Sequence, residues 1–275
     1  MTERKADLHV HTSFSDGTFS PEEVVRYADK IGLAAIAITD HDCTGGIGPS
    51  LEAAKGTGLE IIPAIEFTTE TDGCEVHILG YFIDYGQKCL VKELRNLLRM
   101  REKRMQKMLV RLSGFGISVS MDDVKSVAGK GSLGRLHLAS VLLKKGHVGS
   151  LQEAFSRFLG NGRPCYVRGD RINPIKAISM IAKLGGISVL AHPHTLERDG
   201  LIPVFVKAGL KGIEAYHTDH STAAVEKYEK MAQQLGLLIT GGSDCHGMGK
   251  GRVLMGSITV PYEVVEQLRA AARTN

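Results

Sequence analysis

Six of the eleven histidines in this 275-residue chain, His9, His11, His41, His77, His192 and His246, lie at or just past segments that read as strand ends. Carboxylates accompany them. Asp16 follows His11, Asp40 precedes His41, Glu66 ends another strand-like run, and Asp244 stands two residues before His246. Imidazole and carboxylate together form a donor set suited to Zn, Mn or Fe. A lone histidine in a loop is ordinarily just a polar residue. The nine donors His9, His11, Asp16, His41, Glu66, His77, His192, Asp244 and His246 exceed what a single ion takes, so two to three divalent ions are expected. A water shared by two such ions loses a proton near neutral pH. It can then attack phosphorus in line while the metal charge stabilises the phosphoryl oxygens and the leaving group. No serine or cysteine nucleophile is required, and the pattern Gly-x-Ser-x-Gly is absent.

The elements that must hold these side chains alternate. Ala6 to Val10 reads as a short buried strand. Ser20-Pro21-Glu22-Glu23 opens a helix, with Ser20 as cap, Pro21 at the first helical position and Glu23 closing a capping box. Strands follow at Leu33 to Thr39 and Leu59 to Ile65, with a helix around Ser50 to Lys55 between them, then an extended segment from Cys74 to Phe82. The last third repeats the rhythm. Helices are expected at Pro174 to Leu184, Ile202 to Ala208 and Ala223 to Leu235, and strands at Ile187 to Ala191, Gly212 to Tyr216 and Leu237 to Thr240. An extended stretch near Gly256 to Val260 and a helix from Tyr262 finish the chain. Such alternation predicts an α/β fold of parallel strands covered by helices, a barrel or a distorted relative of one. In β/α barrels the loops after the strands share one face, so the donors converge there. From Val91 to Leu159 the pattern is helical throughout. The expected organisation is a barrel formed by residues 1–90 and 165–275, with a helical insertion at 91–164.

Composition limits the remaining classes. Hydrophobic residues make up 43% and charged residues 23%, ordinary for a soluble globular protein. The net charge of +4 is too small to imply nucleic-acid binding, though it does not oppose an anionic substrate. Five scattered cysteines without a Cys-x-x-Cys pair fit reduced thiols. Residues 1 to 10 carry no secretory signal, and no apolar run approaches the ~20 residues of a membrane span, so a cytoplasmic location is expected. Oligomeric state is not legible.

The segments Asp7-Leu8-His9-Val10-His11-Thr12, Ser15-Asp16-Gly17, Thr39-Asp40-His41, Ala191-His192-Pro193 and Gly242-Ser243-Asp244-Cys245-His246 together resemble the motifs of the polymerase and histidinol phosphatase (PHP) family, in that family's order. The resemblance implies a distorted (β/α)7 barrel and a three-metal phosphoesterase site. One ion would be held by His9, His11, Glu66 and Asp244. Glu66 would bridge to a second with His77 and His192, and Asp16, His41 and His246 would hold a third. Asp40 would act beside the ligands, orienting one of them.

The insertion bears on the substrate. Gly134-Arg135-Leu136-His137-Leu138-Ala139, with Glu153-Ala154-Phe155 and Tyr166-Val167 downstream, resembles the stand-alone branch described as nucleoside 3′,5′-bisphosphate phosphatases and 5′-to-3′ exoribonucleases. Arg135 offers a planar fork of donors for a phosphate not under attack, and His137 a second donor. The implied substrate is a small nucleotide or short RNA. Histidinol phosphate and a cyclic sugar phosphate are the nearest alternatives, and a non-catalytic metal-binding interaction domain is the alternative of another class. Gly129-Lys130-Gly131-Ser132-Leu133-Gly134 matches G-x-G-x-x-G, but no strand precedes it, so a dinucleotide fold is rejected. Arg95, Arg99, Lys103, Lys107 and Arg111 form a basic stripe four residues apart, read as a solvated helix face before an RNA track. His217, just past a strand, is a candidate proton donor to the leaving oxygen. His194 is expected at the rim, and His147 and His220 as surface or cap residues.

Overall fold

The computed structural model describes residues 4–129, 131–169, 171–196, 198–249 and 251–274; Lys130 of the glycine-rich loop lies outside them. The first half of the barrel comprises β1 (Lys5–Val10), α1 (Pro21–Lys30), β2 (Ala35–Ile38), α2 (Ile47–Ala53), β3 (Glu60–Thr71) and β4 (Cys74–Tyr81). Helices α3 (Lys88–Ser113), α4 (Met121–Ala128), α5 (Arg135–Lys144) and α6 (Leu151–Ala154) follow, the last running into a π-helical turn at Phe155–Leu159. The second half is α7 (Pro174–Lys183), β5 (Ile187–Leu190), α8 (Ile202–Lys207), β6 (Gly212–His217), α9 (Thr222–Leu235), β7 (Leu238–Gly242), β8 (Val260–Pro261) and α10 (Tyr262–Arg273).

The eight strands order as β7-β6-β5-β4-β3-β2-β1-β8. Beyond β7 the chain reaches β1 again, where His11 N–H donates to Cys245 O at 2.9 Å and Cys245 N–H to His9 O at 3.3 Å. The sheet therefore curls into a nearly closed barrel. Gly242 lets the two ends meet, since a Cβ there would lie 2.4 Å from His9 N.

The all-parallel expectation needs correction. β4 runs antiparallel to both β3 and β5, and β8 antiparallel to β1. The cause is local. Asp72 and Gly73 both have positive φ, 47° and 84°, and make a two-residue turn between Thr71 and Cys74. Asp-Gly is a strong hairpin signal, because both central residues of that turn tolerate left-handed backbone. The hairpin lengthens β3, so Glu66 and His77 lie within strands and not at strand ends. Helix α2 also begins earlier than expected, at Ile47, whose side chain is fully buried.

Helix α1 forms as its sequence dictates. Glu23 N–H donates to Ser20 Oγ, Ser20 N–H donates to the Glu23 carboxylate at 2.8 Å, and Val24, Val25 and Ala28 face inward. Helix α3 spans roughly 39 Å at 1.5 Å per residue and joins two cores. Its Leu90, Leu94 and Leu97 pack with barrel residues such as Ile78 and Ile181. Its Met105, Met108, Leu109 and Leu112 pack instead with Val124, Leu138, Leu142 and Phe158 of the following helices. The glycine-rich loop before α5 packs backbone to backbone on the loop after β1: Ser132 N–H donates to Phe14 O at 2.9 Å, and a Cβ on Gly131 would lie 2.4 Å from that oxygen. Close approach, more than flexibility, explains this glycine.

Candidate metal centre

The nine donors meet at one mouth, around Glu66. One oxygen, Oε2, lies 3.3 Å from His9 Nε2, 3.2 Å from His11 Nε2 and 3.1 Å from His41 Nδ1. The other, Oε1, lies 2.7 Å from His77 Nδ1 and 3.1 Å from His192 Nε2. Asp244 Oδ1 adds contacts of 3.1 Å to His11 Nε2 and 3.5 Å to His9 Nε2. Asp16 Oδ1 is 3.2 Å from His246 Nε2, and its Oδ2 is 3.9 Å from His41 Nε2. Donor atoms cluster as His9, His11 and Asp244; as His41, Glu66 and His77; and as His11, Asp16, His41 and His246. His11 and His41 thus stand between groups that the sequence reading kept separate.

The donors fit divalent ions on their own evidence. His9 Nε2, His11 Nε2, Glu66 Oε2 and Asp16 Oδ1 are buried yet lack any hydrogen bond of sound geometry, although Glu66 Oε2 lies within 3.3 Å of both His9 Nε2 and His11 Nε2 and Asp16 Oδ1 lies 3.2 Å from His246 Nε2. Buried polar atoms are normally satisfied, and this many imidazole nitrogens and carboxylate oxygens converging without sound hydrogen bonds suit a cation. Backbone strain gathers at the same place. His192 and Asp244 are held at φ of 25° and 50°, unusual for residues with a Cβ.

Charge is distributed accordingly. Burial works against ionisation throughout. Against it, Glu214, Glu66 and Asp244 raise His9 well above the usual imidazole range. Asp244 and Glu66 carry His11 up to about 10, and Glu66 and Glu75 carry His77 to about 9. His41 falls to about 3 because burial prevails there. Burial would also raise the carboxyls of Glu66, Asp16 and Asp244, but the surrounding imidazoles hold them well below the usual carboxylate range. Without ions, protons on the rings balance the carboxylates.

Other residues orient the donors. Glu214, fully buried on β6, accepts from His9 Nδ1 at 2.9 Å and from the His192 N–H at 2.8 Å. The first contact fixes the His9 tautomer with its Nε2 lone pair at the mouth. The sequence reading missed Glu214; its signal was a carboxylate inside an apolar strand. Asp7, at the base of β1, accepts from the N–H groups of Ser243 and Gly256, both at 2.9 Å. Asp40 is fully buried and accepts from Thr12 N–H at 2.8 Å, Thr12 Oγ1 at 2.7 Å and Ser15 Oγ at 2.6 Å. It ties down the loop that carries Asp16. His217 receives Asp219 N–H on Nδ1, so its Nε2 carries the proton and faces Asp244 Oδ2 at 3.5 Å.

Beside the donors opens a cavity of about 330 Å³, lined by His41, His77, His246, Arg101, Arg104, Arg135 and Arg171 among others. Arg101 is committed to structure, bonding Asp42 Oδ2, Thr68 Oγ1 and Leu133 O. Arg104 donates through Nε to Val167 O at 2.7 Å, while one of its buried terminal nitrogens has no partner. Burial, then Arg171, Arg135 and Arg101, press its pKa down to about 10. Glu75 partly offsets this charge, contacting Arg171 at 2.6 Å, Arg135 at 3.7 Å and His77 Nε2 at 3.0 Å. Sequence reasoning found Arg135 but not Arg104, Arg171 or Glu75. The expected basic stripe, Arg95, Arg99, Lys103, Lys107 and Arg111, is exposed along α3, winding round to Arg111, which donates to Tyr166 O. His137 lies elsewhere than expected for a partner of Arg135. Its Nδ1 accepts Gly134 N–H at 3.1 Å, and it lines a neighbouring, more apolar cavity with Phe14, Val127 and Leu151, which meets the arginine cavity at Asp16, Leu136 and Gly249. His220 is no surface residue: its half-buried ring stands 4.6 Å from that of His194.

Comparison with known proteins follows the same lines. The PHP domain model matches residues 7–148. A 3′,5′-nucleoside bisphosphate phosphatase of Chromobacterium violaceum is 32% identical over 89% of this chain and 88% of its own. A 5′-3′ exoribonuclease of Haemophilus influenzae is 31% identical over 94% of this chain and 98% of its own. Among solved structures, a Bifidobacterium adolescentis chain assigned to the metal-dependent phosphoesterases superposes with a TM-score of 0.90 at 29% identity, covering 97% of this chain and 96% of that one.

Proposed function

Since the chain belongs to the PHP domain family, a family of metal-dependent phosphoesterases, we propose that it removes a terminal phosphate from a small nucleotide already carrying a second one, a nucleoside 3′,5′-bisphosphate above all. The observation that carries this reading is the arginine-lined cavity beside the donor cluster. A monoester needs only the cluster, whereas the half-buried guanidinium groups of Arg104, Arg135 and Arg171 around this cavity, partly balanced there by Glu75, suit a further anion.

Two to three divalent ions, of the Mn, Zn or Fe class, would be held as the contacts suggest. Glu66 would bridge between His9, His11 and Asp244 on one side and His77 and His192 on the other, with Asp16, His41 and His246 completing the set. When bound they supply Lewis acidity and an activated water, the chemistry that phosphate-ester hydrolysis requires. The chain's own residues do the rest. Arg135 and Arg171 hold the phosphate that is not cleaved, with Glu75 keeping both forks turned toward the cavity. When its ring takes a second proton on Nδ1 in place of the Asp219 amide contact, His217 can give its Nε2 proton to the leaving oxygen and return to the neutral form. Helices α3 to α6 act as a cap that brings Arg135 over the mouth. A longer RNA carrying a 5′-phosphate would present the same pair of groups, and the name of the Haemophilus relative favours testing it.

A substrate panel tests this. With Mn²⁺, kcat/KM should fall in the order nucleoside 3′,5′-bisphosphate, nucleoside 3′-monophosphate, histidinol phosphate. Arg135→Ala should raise KM for the bisphosphate by about 10- to 100-fold, the loss of one or two hydrogen bonds to a charged group, while leaving the monophosphate nearly unchanged. Equal losses on both, or turnover of histidinol phosphate or a cyclic sugar phosphate alone, would overturn the assignment.

A further inference from the structure

Next to the main cluster, but outside it, His194, His217 and His220 each direct one ring nitrogen to a common point, the three atoms lying within 4.8 Å of one another. His194 follows β5, His217 ends β6 and His220 sits in the turn after it. Two of these rings present buried nitrogens with nothing to bond: His194 Nδ1 and His220 Nε2. For His220 the tautomer is fixed, because its Nδ1 lies 2.7 Å from Ala215 O and must donate there. Its Nε2 is therefore a bare lone pair in a half-buried place. A buried lone pair without a donor is unfavourable, and three imidazoles around one point form a known type of zinc site with the fourth position open.

We infer that His194, His217 and His220 form an accessory site for a transition-metal ion of the zinc class. Ligand nitrogens about 2.1 Å from zinc stand about 3.4 Å apart in a tetrahedron, and the three here lie within 4.8 Å of one another, so the rings close in on an ion wherever they stand wider. His194, half-exposed on its 3-10 turn, is the one free to move. His217 is the costliest donor, since it must give up its Nε2 proton or the Asp219 amide at Nδ1. Both facts place the affinity of this site below that of the main cluster. An ion held there ties up His217, so excess zinc should inhibit the enzyme.

The test is metal stoichiometry. Metal-stripped protein is dialysed against buffered free Zn²⁺ across a range of concentrations, and bound zinc is measured by mass spectrometry for the natural chain, His194→Gln and His220→Gln. The natural chain should take up one equivalent more than either variant at high free zinc, with identical uptake at low free zinc. His194→Gln should also lose inhibition by excess zinc while retaining Mn²⁺-supported turnover. Because His194 makes no side-chain hydrogen bond through its buried nitrogen, this variant should fold even if His220→Gln does not. Equal equivalents in the natural chain and His194→Gln at every zinc concentration would refute the site. That outcome would leave the phosphoesterase reading intact, since the Mn²⁺ assay reports on it separately.

Discussion

At the scale of single residues, the cluster is governed by which lone pairs are free. Glu214 holds His9 with Nε2 toward the mouth and also anchors the His192 backbone. Partners that orient ligands in this way typically contribute 10- to 100-fold to metal affinity. Glu214→Gln should therefore weaken metal binding by about that factor, measured by competition with a chromogenic chelator, while the far-ultraviolet circular dichroism stays unchanged. Unchanged affinity would show that His9 keeps its orientation by packing alone. Protonation gives a second handle. Without ions, His11 and His77 titrate near 10 and 9, so both are charged at pH 7 and must lose protons to ligate. Metal loading should release protons at neutral pH, and apparent affinity should climb as pH rises toward 9. Calorimetry in buffers of different ionisation enthalpy reads this directly, and a buffer-independent heat would contradict it.

At the scale of elements, what the sequence makes legible is local. Ser20 and Glu23 bracket α1, and short apolar runs mark β1, β2 and β5. Histidines and aspartates just beyond those strands could be placed at one mouth because barrel strands end on a common face. The β3–β4 hairpin was less legible, although Asp72-Gly73 signals it, because an extended segment reads alike in either direction. Arg104 was hidden for a different reason. It lies three residues from Arg101 and is half-buried, while the conspicuous basic stripe is exposed. A helix's periodicity separates its faces but does not say what the polar members of the inner face meet. The second core, beyond Met105, is what holds that helix's far end and its followers in place. Leu138 is fully buried there. Leu138→Ala should cost about 2–5 kcal/mol, read as a lowered denaturation midpoint. It should raise KM for a bisphosphate more than it lowers metal affinity, since the arginine forks depend on the cap and the metal donors on the barrel. Equal damage to both would mean that cap and barrel fold as one unit.

At the scale of the whole molecule, two halves of a barrel interrupted by helices bring together donors separated by more than two hundred residues, from His9 to His246. The sequence sufficed to single out those nine side chains because imidazoles and carboxylates recur together beside its strands, and the fold brings them to one mouth. It did not suffice for the arginine cavity, whose members come from α3, α5 and the segment before α7 and meet only through tertiary packing. Among the described residues, no helix is long and apolar enough to cross a membrane. Activity should depend on ions held by the cluster around Glu66. The most direct measurement is phosphate release from a nucleoside 3′,5′-bisphosphate by metal-stripped protein titrated with Mn²⁺. No release is expected without metal, with recovery that saturates at two to three equivalents and no recovery in Glu66→Gln. Sustained release by the metal-free protein, or full recovery in Glu66→Gln, would contradict it.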